Sequence, residues 1–143
     1  MTKEADIQIA CNYLLNELAD IYIFRHYHIA NEGKRSVNYR FKLKRMGFRA
    51  GAPDLVIEYP NGKLLYVELK NEKGQLSNAQ KLWKVQSSAL NTPHFIIKGN
   101  IKSCLEDLAS IIDKYVPRRQ SPQSYIYSTK KPKGSWLIYG YVG

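Results

Sequence analysis

Gly51-Ala-Pro-Asp-Leu-Val-Ile-Glu-Tyr-Pro-Asn-Gly-Lys-Leu-Leu-Tyr-Val-Glu-Leu-Lys70 reads as a β-hairpin that brings two carboxylates and a lysine to its open end. The apolar runs from Leu55 to Tyr59 and from Leu64 to Leu69 flank Pro60-Asn61-Gly62. That triplet suits a three-residue loop, with Pro60 and Asn61 in right-handed positions and Gly62 in the left-handed one. If Tyr59 then pairs with Lys63, the same register sets Asp54 opposite Glu68, with both side chains on one face. Lys70 shares that face by the period-two alternation. A two-residue loop at Asn61-Gly62 is the competing register and would turn Asp54 away; the three-residue loop is preferred.

Opposed like charges in a sheet repel unless a cation lies between them. A divalent metal resolves the conflict, and the backbone carbonyl of Leu69 offers a further hard oxygen. Carboxylates, a carbonyl and water suit Mg²⁺ or Mn²⁺. Lys70 would orient a nucleophilic water or stabilise the negative charge that grows on phosphorus.

The rest of the chain supplies a polyanion-binding surface. Its 143 residues carry 22 Lys and Arg against 12 Asp and Glu, a formal charge of +10, which is the electrostatic footprint of a polyanion partner. From Gly33 to Pro53 stand Lys34, Arg35, Arg40, Lys42, Lys44, Arg45 and Arg49 with no acid. After Asp113 come Lys114, Arg118, Arg119, Lys130, Lys131 and Lys133, again with none. No apolar run approaches the length needed to span a bilayer. The acid-containing start, Met1 to Asp6, does not resemble a signal peptide, so we expect an intracellular, cytoplasmic protein with no membrane partner. Cys11 and Cys104 lack ligand-like spacing and read as reduced core residues.

Outward from the hairpin, Thr2 is a candidate cap for a helix whose stripe is Ile7, Ala10, Cys11, Leu14, Leu15 and Leu18. Ile21 to Ile29 reads as a strand with Tyr22, Phe24, His26 and His28 on one face, the histidines being ordinary partly exposed side chains rather than metal ligands. Residues 34–46 are a short helix or an ordered loop. Ser77-Asn-Ala-Gln80 has the form of a capping box for a helix to about Leu90, with Leu82, Val85 and Ala89 on its inner stripe and Trp83 as a further candidate for it. His94 to Lys98 forms a short strand, and Asn100 caps a last helix carrying Ile101, Cys104, Leu105, Leu108, Ile111, Ile112 and Tyr115. Strand, helix, strand in this order makes a right-handed crossover and a parallel pair. The fold class is therefore α/β, a mixed central sheet flanked by helices. Pro117 to Gln123 reads as a linker, and Ser124 to Val142 as a second, aromatic-rich hairpin that packs on the domain, contacts a second copy or stacks on bases, packing within the domain or the dimer being preferred over stacking.

Pro53-Asp54, thirteen intervening residues and Glu68-x-Lys70 resemble the PD-(D/E)xK nuclease superfamily. Glu4 with Gln8, Asn31-x-Gly33-x-Arg35, Gly51-Ala-Pro-Asp54 and Gly74-x-Leu76-Ser77-x-x-Gln80 narrow the resemblance, over residues 3 to 98, to its VRR-NUC (virus-type replication-repair nuclease) family. The resemblance implies a metal-dependent DNA endonuclease, structure-selective for branched DNA such as Holliday junctions, and a homodimer, in a bacterial or virus-infected cell. It implies Glu4, Asp54 and Glu68 as metal ligands, Lys70 as the catalytic lysine and Gln80 as a polar active-site residue, with Asn31 and Arg35 as candidate substrate contacts. On this view residues 1–116 are the nuclease domain, and 117–143 a basic linker and hairpin, a candidate dimer element. A non-catalytic nucleic-acid-binding module and an RNA-processing nuclease are the alternatives.

Overall fold

A computed structural model describes residues 2–30 and 36–120. Among these the elements run α1 (Glu4–Leu18), β1 (Arg25–His28), α2 (Val37–Arg45), β2 (Leu55–Tyr59), β3 (Lys63–Lys70), α3 (Asn78–Ala89), β4 (His94–Lys98) and α4 (Ile101–Tyr115). The strands form one sheet in the order β1-β2-β3-β4. Its first two pairings are antiparallel and β3 with β4 is parallel, so the expected mixed α/β sheet is present. The expected C-terminal hairpin lies outside the described residues.

The hairpin takes the favoured register, with Tyr59 on Lys63 and Leu55 on Val67. Its turn differs from expectation. Asn61 (φ 71) and Gly62 (φ 69) are both left-handed, the pair of conformations that makes a two-residue Asn-Gly turn match the twist of its strands. Pro60 is the additional residue that keeps the three-residue spacing.

Alternation divides the sheet cleanly. Leu65, Val67 and Leu69 point to one face, where they join Ile7, Cys11, Leu14 and Leu15 of α1 and Cys104, Leu105, Leu108 and Ile112 of α4 in a single buried cluster. Both cysteines are free thiols in this core, and burial raises both thiol pKa values. Tyr66 and Glu68 point to the opposite face. There α3 docks through Trp83, whose ring lies 6.0 Å from that of Tyr66.

Several local expectations are corrected. Thr2 does not cap α1: Lys3 holds that position, without a side-chain cap. The strand expected over 21–29 is regular only from Arg25. Residues 21–23 pair instead with the chain after α4, Ile23 N donating to Pro117 O and Arg119 N to Ile21 O. His26 is buried rather than partly exposed, and its Nε2 lies 2.8 Å from Asn16 Oδ1. On α3, Leu82, Val85 and Ala89 are exposed, and of the expected stripe Trp83 meets the sheet; the helix is fixed by Gln80, Trp83 and Ser87, which turns the other three to solvent. Residues 37–45 are helical, capped by Ser36 Oγ on Tyr39 N, and none of them is buried. No described helix is long and apolar enough to cross a membrane.

Candidate active site

One step beyond the last residues paired between β2 and β3, Asp54 stands across from Glu68. With the ladder ended, the Asp54 carboxylate takes over a ladder bond: Oδ2 accepts the Leu69 N–H at 2.7 Å. Its backbone carbonyl is also held, by Ile29 N at 3.0 Å and by His28 Nδ1 at 2.7 Å. A carbonyl only accepts, so Nδ1 of His28 carries the proton. Asp54 is thus fixed from β3 through its side chain and from the end of β1 through its backbone.

Glu68 is 2% exposed. Burial first, then the Asp54 charge and contact, push its carboxyl well above the usual range, while Lys70 opposes the shift. Glu68 Oε1 accepts from Gln80 Nε2 at 2.8 Å. Glu68 Oε2 is sealed from solvent and has no hydrogen-bond donor, because the facing Asp54 carboxylate supplies no proton unless one of the pair is protonated. Two opposed acids and an oxygen without a donor leave a cluster of buried acceptors at this end of the hairpin.

Gln80 has three bonds that fix it. Its backbone N donates to Ser77 Oγ at 3.1 Å and its Oε1 accepts from Ser77 N at 2.8 Å, completing the expected capping box. Its Nε2 remains for Glu68. A half of the capping box and the contact to Glu68 are therefore one side chain. Lys70 Nζ lies 3.9 Å from Glu4 Oε1, its side chain largely enclosed. Glu4 and Gln8 of α1, with His28, Asp54 and Leu69, line a cavity of about 190 Å³. The structure thus brings Glu4, Asp54, Glu68, Lys70, Leu69 and Gln80 to one corner. Among the described residues, no group of three or more His, Cys, Asp or Glu side chains is arranged to hold a metal ion.

Arg40, Lys42, Lys44 and Arg45 lie on α2, and Arg49 follows it in the loop leading to Asp54. Lys42 and Arg45, with Val37, Asn38, Phe41 and Met46, border an open groove of about 600 Å³. Asn31, Lys34 and Arg35 lie outside the described residues.

Three features escaped the sequence reading. A Cβ at Gly51 (φ +84) would meet Ala79 C and O at 2.4 Å and Gln80 N at 2.8 Å, so this glycine lets the Asp54 loop touch the first turn of α3. A Cβ at Gly74 would meet Glu4 Oε2 and Lys70 Cδ at 3.0 Å. The third is the clamp of His28 on Asp54. The glycines were visible as letters of a motif, but only the fold shows what each lies against.

The VRR-NUC domain family matches residues 4–90, more than half of the chain, and these residues contain every element of the corner just described. The chain belongs to the VRR-NUC family. A solved structure described as a VRR_NUC domain is similar in fold, with 21% identity, a TM-score of 0.50, and coverage of 80% of this chain and 99% of that one. A search of curated proteins found no match. VRR-NUC membership gives the α/β corner a nuclease-type context, in which a nucleic acid is the partner.

Proposed function

We propose that this VRR-NUC chain is an endonuclease that uses Mg²⁺ or Mn²⁺ to hydrolyse phosphodiester bonds in DNA, selects branched structures such as Holliday junctions, and works as a homodimer. The observation that carries the chemistry is the face-to-face placement of Asp54 and the buried Glu68, whose Oε2 has no donor. The oxygen donors fit a hard divalent cation: Asp54, Glu68 and the Leu69 carbonyl would hold it, with Glu4 contributing from α1. Such an ion supplies a Lewis acid for the phosphoryl oxygens, a lowered pKa for water and compensation of charge on the leaving oxygen.

The protein's own groups do the positioning. Gln80 fixes the Glu68 carboxylate by donating to Oε1, while Leu69 N and His28 fix Asp54. Lys70, held near Glu4, places its ammonium where negative charge grows on phosphorus. Arg40, Lys42, Lys44, Arg45 and Arg49, with Asn31, Lys34 and Arg35, bind the DNA phosphates. Branch selectivity and the homodimer rest on the family resemblance, with residues 117–143 as candidate dimer element; a symmetric pair would offer two sites to two strands.

Labelled junctions, flaps and linear duplex, incubated with Mg²⁺ or Mn²⁺, test this directly. Junctions should be cut in preference to duplex, and Asp54→Ala, Glu68→Ala and Lys70→Ala should each lower the rate by ~10²-fold or more. Undiminished cleavage by all three would remove the assignment. Tight, salt-sensitive binding without turnover under any divalent cation would instead indicate a nucleic-acid-binding module, and preferential cutting of RNA an RNA-processing enzyme.

A further inference from the structure

Gln8 lies four residues after Glu4, so both side chains leave the same side of α1. Its neighbours Ile7 and Cys11 are fully buried, and Gln8 itself is half-buried. Its Oε1 is closed to solvent and has no hydrogen-bond donor. Such an oxygen is destabilising relative to a satisfied one, and a Leu at this place on the helix would avoid that penalty.

The surroundings show why a donor is missing. The cavity shared by Gln8 is walled by the carboxylates of Glu4 and Asp54, which accept hydrogen bonds and do not donate them when ionised. His28, the remaining polar wall, has its Nδ1 proton directed to the Asp54 carbonyl. Gln8 Oε1 and Glu68 Oε2 are two of the few buried polar atoms without a partner among the described residues, and both belong to residues beside Asp54. A small hard cation beside Asp54 would satisfy both oxygens. An amide oxygen is a hard donor of the kind Mg²⁺ and Mn²⁺ accept, and that of Gln8 faces the cavity it shares with Glu4 and Asp54.

We propose that Gln8 Oε1 is itself an oxygen ligand of the divalent cation held at Asp54 and Glu68, so that α1 contributes an amide as well as the Glu4 carboxylate. This rests on the metal-dependent function proposed above. The side chain is charge-neutral, so it adds coordination without adding repulsion to an already crowded acidic site.

The test uses the full chain without DNA and reads metal binding rather than cleavage. Mn²⁺ is titrated calorimetrically into wild type, Gln8→Leu, Gln8→Met and Gln8→Glu, and each protein is melted in EDTA and in Mn²⁺. Gln8→Leu and Gln8→Met should weaken Mn²⁺ binding ~10-fold or more, with an EDTA melting temperature equal to or above wild type and a smaller rise on adding Mn²⁺. Gln8→Glu should retain binding at least as tight as wild type. Equal Mn²⁺ affinity in wild type, Gln8→Leu and Gln8→Met overturns the inference. A lower EDTA melting temperature with an unchanged Mn²⁺ response also overturns it, since the amide would then be an ordinary structural group. Wild type that binds no Mn²⁺ removes the metal-dependent function as well; wild type that binds and cleaves, beside a Leu variant that binds equally, removes only the role of Gln8.

Discussion

Gln80 Nε2 donates to Glu68 Oε1 at 2.8 Å, so the first turn of α3 orients one of the two opposed carboxylates of the hairpin. The same side chain closes the capping box with Ser77, which leaves it little freedom to swing away. Gln80→Ala should therefore cost twice: ~1 kcal/mol of stability through the lost bond from Ser77 N, the Ser77 Oγ cap being kept, and ~10-fold or more in cleavage rate through a poorly oriented Glu68. Thermal melts and single-turnover cleavage separate the two effects. A change in stability alone would show that Glu68 needs no second support.

Glu68→Gln should stabilise the metal-free protein while abolishing cleavage. The folded protein holds the Glu68 proton more tightly than the unfolded chain does, because burial and Asp54 raise its pKa. Its contribution is thus complete below the ordinary carboxylate range and is lost as pH rises toward the raised value. A neutral amide removes that loss, and can accept from Gln80 while donating toward Asp54. In EDTA at pH 8 the variant should melt several degrees above wild type, ~1–3 kcal/mol, with little difference near pH 5. A lower melting temperature at pH 8 would contradict this.

Gly51→Ala should disturb the site from outside it. The added methyl would overlap the Ala79 carbonyl group and the residue would remain at φ +84, so either the loop before Asp54 or the start of α3 must move. We expect a loss of roughly 2–3 kcal/mol and a fall in kcat larger than any rise in KM. Gly62→Ala, where a Cβ meets nothing within 4 Å, is the control: it shares the left-handed strain but should spare activity per folded molecule.

His26 sets an acid limit on stability. Burial lowers its pKa from 6.5 to about 4, so between those values the unfolded chain takes up the proton more readily than the folded one. The stabilisation is complete above pH 6.5 and disappears as pH falls toward 4, by roughly 3 kcal/mol at most. Glu68 titrates with the opposite sign in an overlapping window, so the difference between wild type and His26→Gln in urea unfolding isolates the effect. That difference should move in favour of the variant as pH drops from 7 to 4.5; a constant difference would rule it out.

Neutralising Lys42 and Arg45 together should weaken DNA binding for every sequence and reduce the slope of log K against log salt by about 2, while Mn²⁺ affinity stays the same. An unchanged slope would place the phosphates elsewhere.

Much of the corner was legible before the fold was known, for identifiable reasons. The three-residue loop length set the spacing of the hairpin, although Asn61 takes a left-handed conformation in place of the right-handed one expected, and spacing fixed which face Asp54 and Glu68 share. Ser77 and Asn100 marked helix starts because a cap is a local interaction. What failed was decided at a distance. The stripe of Leu82, Val85 and Ala89 has helical spacing, yet α3 is anchored by Gln80 and Trp83, and spacing alone does not say which face of a helix wins. Residues 21–23 have strand composition, but their partner comes from Pro117 to Arg119, nearly a hundred residues later. His26 is enclosed by packing that its neighbours in sequence do not reveal.

The turn at Pro60 to Gly62 gives the hairpin tip an arithmetic role. Loop tips ordinarily accept insertions and deletions of any size. Here, losing or gaining one residue moves the pairing by one step, and one step exchanges the two faces of a strand. Asp54, at the far end of β2, would then turn from Glu68 toward the core unless a bulge absorbed the change. Length variation at this tip is therefore constrained by parity: relatives that keep the corner should differ there by even numbers of residues, or carry a compensating bulge between the tip and Asp54.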